Sequence, residues 1–281
     1  MDCFFKKNSI GSFVRCKVLR SGSSGNCTLI EHQNQRILID AGFSQRRILE
    51  ILDESGISIS SVSAVLVTHC HADHLNYSTL QVCRKNSIPL WINEANQATL
   101  RSLYKESLIE RCAINYFTAD QFTVGTFQVQ PFELSHDAAG TTCGFVIKAV
   151  SSSGSMLTYA ADLGIFPDML IQYFKNSKVI ILEANHDLEL LWNNPLRPYI
   201  HKKRVTGDFG HLSNMQSADA LIRICKSSSV APEKVILCHL SEDHNTPELA
   251  RTTIKEILAR EGVTMDLMVA ERKCATPFVE L

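Results

Sequence analysis

The stretch Thr68-His69-Cys70-His71-Ala72-Asp73-His74 directly follows an apolar run, Ala64-Val65-Leu66-Val67, and limits what this chain can fold into more than any other segment. A short apolar run rich in β-branched residues predicts a buried strand, which leaves the histidines on the loop at its C-terminal end. In extended backbone, residues two apart point the same way, so His69 and His71 can face one point; on a helix they would lie roughly 200° apart. Asp73 and His74 follow after one more residue and can face a second point beside the first. Such a density of imidazole and carboxylate is costly to bury unpaired, and a metal ion is what normally offsets that cost. The spacing suits two adjacent ions. Cys70 points the opposite way from its neighbours and is expected to pack rather than coordinate.

At 281 residues the chain is long enough for one large α/β domain. Neither a Pro- or Gly-rich linker nor an internal repeat divides it, so one domain over residues 1–281 is expected. No apolar run approaches the length needed to span a bilayer, and Lys6-Lys7 has no apolar stretch behind it. This predicts a cytoplasmic protein with no membrane partner. Ten cysteines are irregularly spaced without a CxxC pair, which fits reduced, mostly buried thiols. A net charge of −1 gives no global attraction to nucleic acid, so any polyanion site must be local.

Residues 1–12 read as a loose lead-in. A strand from Phe13 meets Ser21-Gly22-Ser23-Ser24-Gly25-Asn26, which is either a plain turn or a cradle whose N–H groups take an anion, with Ser24 and Asn26 as substrate contacts. Cys27–Ile30 and Arg36–Ile39 form a hairpin closed by Asp40, either a turn residue or an acceptor that orients a ligand histidine. Helices are predicted over 45–55, 76–85 and 94–108, a strand over Leu90–Ile92, and two strands over 122–133. His136 sits just past the second of these and is a candidate third imidazole for the first ion. A hairpin of Cys143–Ile147 and Ser155–Tyr159 ends near Asp162, a strand-end carboxylate placed to bridge two ions. Lys178–Leu182 is a buried strand ending in Glu183 and, three residues on, His186; both read as supporting or substrate-side groups.

The one dense basic segment, Arg197 to Arg204, is either a solvated face or, through Lys203 and Arg204, a phosphate contact. It leads into Gly207-Asp208-Phe209-Gly210-His211-Leu212-Ser213 and then an amphipathic helix. Ser213 is a natural N-cap, which leaves free N–H groups near His211, a combination that suits phosphate. His239 ends a last strand, Val235–Cys238, and supplies an imidazole for the second ion. A closing helix begins at Thr246-Pro247 and stops at Gly262.

His-x-His-x-Asp-His after an apolar strand resembles the signature of the metallo-β-lactamase superfamily. That resemblance implies an α/β fold, an αβ/βα sandwich of two mixed sheets packed face to face with helices outside and metals at one edge. The ordered set Ser-Gly-Ser-Ser-Gly-Asn, Ile-Asp-Ala-Gly, Ser-His-Asp, Ala-x-Asp-Leu-Gly, Glu-x-Asn-His-Asp, Gly-His-Leu-Ser-Asn and His-Leu-Ser, spanning residues 17–250, is similar to the YycJ/WalJ group of bacterial metallo-hydrolases. The group is associated with 5′-to-3′ exonuclease activity on double-stranded DNA. By motif, the resemblance implies that His69, His71, His136 and Asp162 hold one divalent ion and Asp73, His74, Asp162 and His239 the other. Zn²⁺, Mn²⁺ and Fe²⁺ all suit such a set. Gly210-His211-Leu212-Ser213 resembles the Gly-His-Ala-Ser element of ribonuclease J, whose histidine contacts the scissile phosphate. Cys70 departs from the acidic or polar residue of many relatives, and the inserted domain of ribonuclease J is missing.

The expected chemistry is two-metal phosphodiester hydrolysis of nucleic acid, DNA rather than RNA, with Asp73 and His211 as catalytic residues. Two rivals stand beside it: hydrolysis of a small thioester, lactone or cyclic phosphodiester on the same metals, and a non-catalytic regulatory module. A neutral acyl substrate would not need the basic segment beside His211. Oligomeric state is not encoded in such patterns.

Overall fold

Two seven-stranded sheets carry the chain in this computed structural model, which describes residues 13–150 and 156–281. The lead-in of residues 1–12 and the first residue of the Ser155–Tyr159 strand lie outside the described residues. The first sheet contains β1 (Val14–Arg20), β2 (Cys27–His32), β3 (Gln35–Ile39), β4 (Val62–Leu66), β5 (Leu90–Asn93), β6 (Ile114–Phe117) and β14 (Val279–Glu280), in the order β14-β1-β2-β3-β4-β5-β6. The second contains β7 (Phe122–Val124), β8 (Phe127–Leu134), β9 (Thr142–Ala149), β10 (Met156–Ala160), β11 (Val179–Glu183), β12 (Lys234–Cys238) and β13 (Asp266–Val269), in sequence order. Each is mixed: β14 to β3 and β7 to β10 pair antiparallel, whereas β3 to β6 and β10 to β13 pair parallel.

The alternation of strand side chains sorts one apolar sequence into two cores. In β4, Ala64 and Leu66 enter the layer between the sheets, while Val65 and the following Val67 face the outer layer. In β12, Ile236 and Cys238 point inward while Val235 and Leu237 point out. Helices cover each outer face: α1 (Gln45–Asp53), α2 (Tyr77–Lys85), α3 (Gln97–Leu103) and α4 (Glu106–Ile109) lie on the first sheet. On the second lie α5 (Ile171–Phe174), α8 (Asn214–Ser227) and α9 (Pro247–Arg260). Two shorter helices, α6 (Leu188–Asn193) and α7 (Tyr199–Val205), stand in the connection after β11. This is the expected αβ/βα sandwich.

The helix expected over 94–108 is broken. A 3₁₀ turn at Glu94–Asn96 leads into α3, and the chain turns extended at Tyr104 (φ −128°, ψ 147°) before α4. The break seats the Tyr104 hydroxyl on the Leu75 carbonyl at 3.0 Å, just past the histidine loop. Cys70 is buried in the first outer core, as its direction predicted.

Candidate metal centre

Several strand ends at one edge of the sandwich deliver a polar side chain there. Asp40 follows β3, the histidine loop follows β4, Asp162 follows β10, Glu183 ends β11 and His239 follows β12; His136 arrives from β8. Three of these take left-handed backbone, Asp40 at φ 58°, Asp162 at 61° and His239 at 54°. A non-glycine residue holds that conformation only where its surroundings fix it, and here the turn swings each side chain across the strand end.

The hydrogen bonds set which ring nitrogens face the centre. Asp40 Oδ1 accepts from the Thr68 N–H at 2.9 Å, and Asp40 Oδ2 accepts from the Thr68 hydroxyl at 2.9 Å and from His74 Nδ1 at 2.7 Å. Because the Thr68 hydroxyl gives its proton to Asp40, its oxygen accepts from His69 Nδ1 at 3.0 Å. His136 Nδ1 donates to the Gly210 carbonyl at 3.1 Å, and His239 Nδ1 to Glu183 Oε1 at 2.9 Å. In all four rings the Nδ1 proton is held from behind, which turns the unprotonated Nε2 to the front; the His69 and His239 ones have no partner, and the His74 one lies 3.0 Å from Asn26 Nδ2.

Those front-facing atoms converge. His69, His71 and His136 offer ligand atoms all within 4.8 Å of one another, and so do Asp73, His74 and His239. His136 Nε2 and His71 Nδ1 are 3.3 Å apart, while Asp73 Oδ2 lies 3.4 Å from His74 Nε2 and 3.5 Å from His239 Nε2. Donors sharing one tetrahedral ion at ~2.1 Å bonds stand about 3.4 Å apart. Asp162 lies between the groups, with Oδ2 2.7 Å from His74 Nε2 and Oδ1 4.0 Å from His136 Nε2. His69 Nε2, His239 Nε2 and Asp162 Oδ2 are buried without a hydrogen bond, a cost that a divalent cation removes. The residues present therefore fit two adjacent ions.

Charge agrees with this. Burial, then the neighbouring His74, holds His69 well below the usual imidazole range. Burial and His136 lower His71, and burial outweighs Asp162 to lower His136. Asp162 runs the other way: burial would raise it, but His239 and His74 keep it well below the usual carboxylate range. At His74 and His239 burial would lower the ring, but Asp162 with Asp73 outweighs it, raising His74 well above the usual imidazole range and His239 to about 10. Three rings held neutral and two drawn toward positive charge by the carboxylates around them mark a centre whose carboxylates call for a cation.

Glu183 joins the centre to its surroundings. Its Oε1 accepts from His211 Nδ1 at 2.7 Å as well as from His239, and its Oε2 accepts the Leu163 and Leu212 N–H groups at 3.1 and 3.0 Å. Burial alone would raise this carboxyl, but His211 and His239 bring it down to about 2. His211 opens into a cavity of about 300 Å³ lined by Ser23, Arg197, His201, Arg204 and His244 among others.

Other expected contacts fall differently. Ser213 is buried and caps α8, accepting from the Gln216 N–H at 3.2 Å while Gln216 reaches back to the Ser213 N–H at 2.9 Å. Asn26 is buried within the Ser-Gly loop, its Oδ1 accepting from Gly22 N at 3.0 Å and its Nδ2 lying 3.0 Å from His74 Nε2. His186 is fully buried, and burial drives its pKa down to about 4. These three are therefore internal rather than substrate-facing. Ser24 is exposed but does not line the cavity, whereas Ser23 does. Arg204 lines it while donating to Asp137 at 2.5 Å, and Lys203 is exposed with Nζ 5.8 Å from the Tyr199 ring. The sequence reading missed Thr68 and the cavity residues Arg197, His201 and His244. For Thr68 the signal was its place between an acid and two histidines; the others share only a basic character.

A sequence profile described as a Beta-lactamase superfamily domain matches residues 35–240. The chain is similar to Exodeoxyribonuclease WalJ of Streptococcus pneumoniae serotype 2, with 32% identity over 269 residues covering 94% of this chain and 97% of that protein. It is also similar to Exodeoxyribonuclease YycJ of Bacillus anthracis, 29% identical over 245 residues covering 87% and 89%. Among solved structures, the metallo-beta-lactamase fold protein YhfI from Bacillus subtilis superposes with a TM-score of 0.71 at 17% identity, covering 96% of this chain and 100% of that one. With the fold, the convergent donor set and relatives matched along nearly their whole length, the chain belongs to the metallo-β-lactamase superfamily and is a metal-dependent hydrolase.

Proposed function

We propose that the protein is a two-ion phosphodiesterase that removes nucleotides from a 5′ end of duplex DNA, with residues 1–281 as one catalytic domain working in the cytoplasm. His69, His71, His136 and Asp162 would hold the first ion, and Asp73, His74, Asp162 and His239 the second. Zinc or manganese is the expected metal and iron the third candidate, since imidazole and carboxylate accommodate all of them. When bound, the ions polarise the phosphoryl group and make a water acidic at neutral pH.

The chain's own residues do the rest. Asp73, whose Oδ2 lies between His74 and His239, accepts a hydrogen bond from the attacking water and aims it. His211 meets the scissile phosphate and either stabilises its growing charge or protonates the leaving oxygen. Glu183 holds the His211 ring by Nδ1, so the proton that Nε2 offers the substrate belongs to the doubly protonated ring, whose charge the Glu183 carboxylate offsets.

One observation carries this reading. His211, with 12% of its side chain exposed, opens from the donor cluster into a cavity whose lining includes Arg197, His201 and Arg204. Arg197 pairs with Asp243, which also lines the cavity, and Arg204 spends one of its five donors on Asp137; the donors left over suit phosphate oxygens. A neutral thioester or lactone has no use for them. The exodeoxyribonuclease names of both relatives support the same substrate class.

The test is hydrolysis of a duplex with one labelled 5′-phosphorylated end, with Mn²⁺ or Zn²⁺. Nucleotides should be released from that end by the wild type and not by Asp73→Ala. His211→Ala should keep its metal content and lose turnover by roughly a hundredfold or more. Full rate in His211→Ala would remove that residue from the mechanism. Turnover of thioesters with none of DNA would replace the nuclease reading by an acyl hydrolase.

A further inference from the structure

The connection after β11 carries a surface that hydrolysis itself does not use. Six of the fifteen exposed large hydrophobic side chains among the described residues, Leu190, Trp192, Leu196, Tyr199, Ile200 and Phe209, fall within it. Tyr199 is 66% exposed and Trp192 39%, a large apolar area to leave in water. Their rings lie 5.9 Å apart at 47°, and Lys202 Nζ donates to the Trp192 carbonyl at 2.7 Å, tying α7 to α6.

α7 has two working faces. His201 and Val205, four residues apart, line the cavity in front of His211 together with Arg197 and Arg204. Tyr199 and Lys203, also four apart, lie on another face, with Lys203 Nζ 5.8 Å from the Tyr199 ring. The same short helix therefore presents Arg204 and His201 to the cavity and, roughly 200° round its axis, an aromatic ring with its own cation beside it. We infer that Trp192 and Tyr199 form a stacking platform for unpaired nucleotides of the strand whose phosphate enters the cavity on the other side of α7, an inference that rests on the nuclease reading above.

Charge selects this occupant. Residues 195–207 contain Arg197, Lys202, Lys203 and Arg204 and no acidic residue; Arg197 pairs with Asp243 and Arg204 with Asp137, while Lys203 stands beside the Tyr199 ring. A second copy of this chain docked by the same patch would bring two such segments together, and like charge disfavours that contact. A nucleic-acid strand supplies the opposite sign to the cations and a flat π face to the rings, whatever its base sequence. The substrate class narrows accordingly: an end that frays, or one that carries an unpaired tail, engages the platform, whereas a fully paired duplex must first open.

The protein reports on this directly. It has two tryptophans; Trp91 is partly buried and stacked on Phe122 at 5.0 Å, whereas Trp192 is 39% exposed, so quenching that disappears in Trp192→Phe/Tyr199→Phe is assigned to Trp192. The metal-loaded protein is titrated with a 5′-phosphorylated oligothymidylate whose phosphorothioate linkages resist cleavage, and tryptophan emission is followed. Wild type should be quenched. Trp192→Ala/Tyr199→Ala should bind roughly ten- to a hundredfold more weakly, Trp192→Phe/Tyr199→Phe should recover most of that affinity by anisotropy of a labelled oligonucleotide, and all three should hydrolyse bis(4-nitrophenyl) phosphate equally. Absence of quenching, or unchanged affinity in the alanine variant, overturns the platform while small-diester turnover keeps the hydrolase reading intact. A wild-type dimer that the alanine variant dissociates also overturns it, because a second copy then covers the patch. Quenching without any hydrolysis of DNA would leave the platform standing and sink the nuclease assignment instead.

Discussion

A single methyl group at position 42 would disturb the histidine loop. A Cβ on Gly42 would sit 1.9 Å from the Asp73 carbonyl carbon and 2.5 Å from the His74 nitrogen, where no rotamer relieves it. The loop must lie this close because the Asn26 N–H reaches the Asp73 carbonyl at 2.8 Å and the Ala41 N–H reaches the His74 carbonyl at 3.1 Å. Gly42→Ala should displace Asp73 and cut turnover about a hundredfold, since an error near 1 Å costs that much; kcat on the labelled duplex, beside a melting curve, checks it. Glu183 is a second point of leverage. Glu183→Ala orphans buried donors at about 1–3 kcal/mol each, so unfolding calorimetry should read a loss of about 3 kcal/mol or more. Glu183→Gln keeps the volume but not the charge, and metal affinity by chelator competition should fall about 10- to 100-fold.

At the scale of elements, the α8 cap distinguishes two roles for one residue. Ser213→Ala removes the side-chain half of the capping box and should cost about 1 kcal/mol, a drop of roughly 2–4 °C in Tm, with KM for DNA unchanged. A raised KM with unaltered Tm would return Ser213 to the substrate. The sequence made this helix legible because an N-cap serine and the apolar period that follows it agree, while the glutamine that closes the capping box emerges only in the fold. It made β4 and β12 legible because strands buried on both faces read as unbroken apolar runs. The break at Tyr104 was hidden, because a tyrosine hydroxyl reaching a carbonyl 29 residues earlier leaves no local trace. β14 was equally hidden, being two residues long and defined by its pairing with Arg15 and Cys16. The ligand candidates stood out because strand ends repeatedly met histidine or aspartate; the cavity did not, because it is assembled from residues spread between Ser23 and His244.

The whole molecule draws its centre from strand ends between β3 and β12, so the site exists only when both sheets are in place. Bonds such as His239 N–H to Ser21 Oγ at 2.8 Å close that circuit across the sandwich. The cysteines offer a check on the same layers. Burial pushes the thiols of Cys16, Cys27, Cys70, Cys83 and Cys143 up to about 12, and thiolate is the reactive form, so they stay protonated and silent below that pH. Among the described residues, a disulfide reagent at pH 8 should label exposed Cys274 quickly, half-buried Cys112 and Cys225 slowly, and the others only after unfolding. Rapid labelling of Cys16 or Cys143 in the native protein would mean that the two sheets part readily. Glu183 Oε1 serves both His211 and His239, so neither imidazole can change without altering what its neighbour is bonded to. Variation at these positions is therefore epistatic: a library that randomises them one at a time meets only dead ends, and new specificity has to be sought among variants changed at all three together.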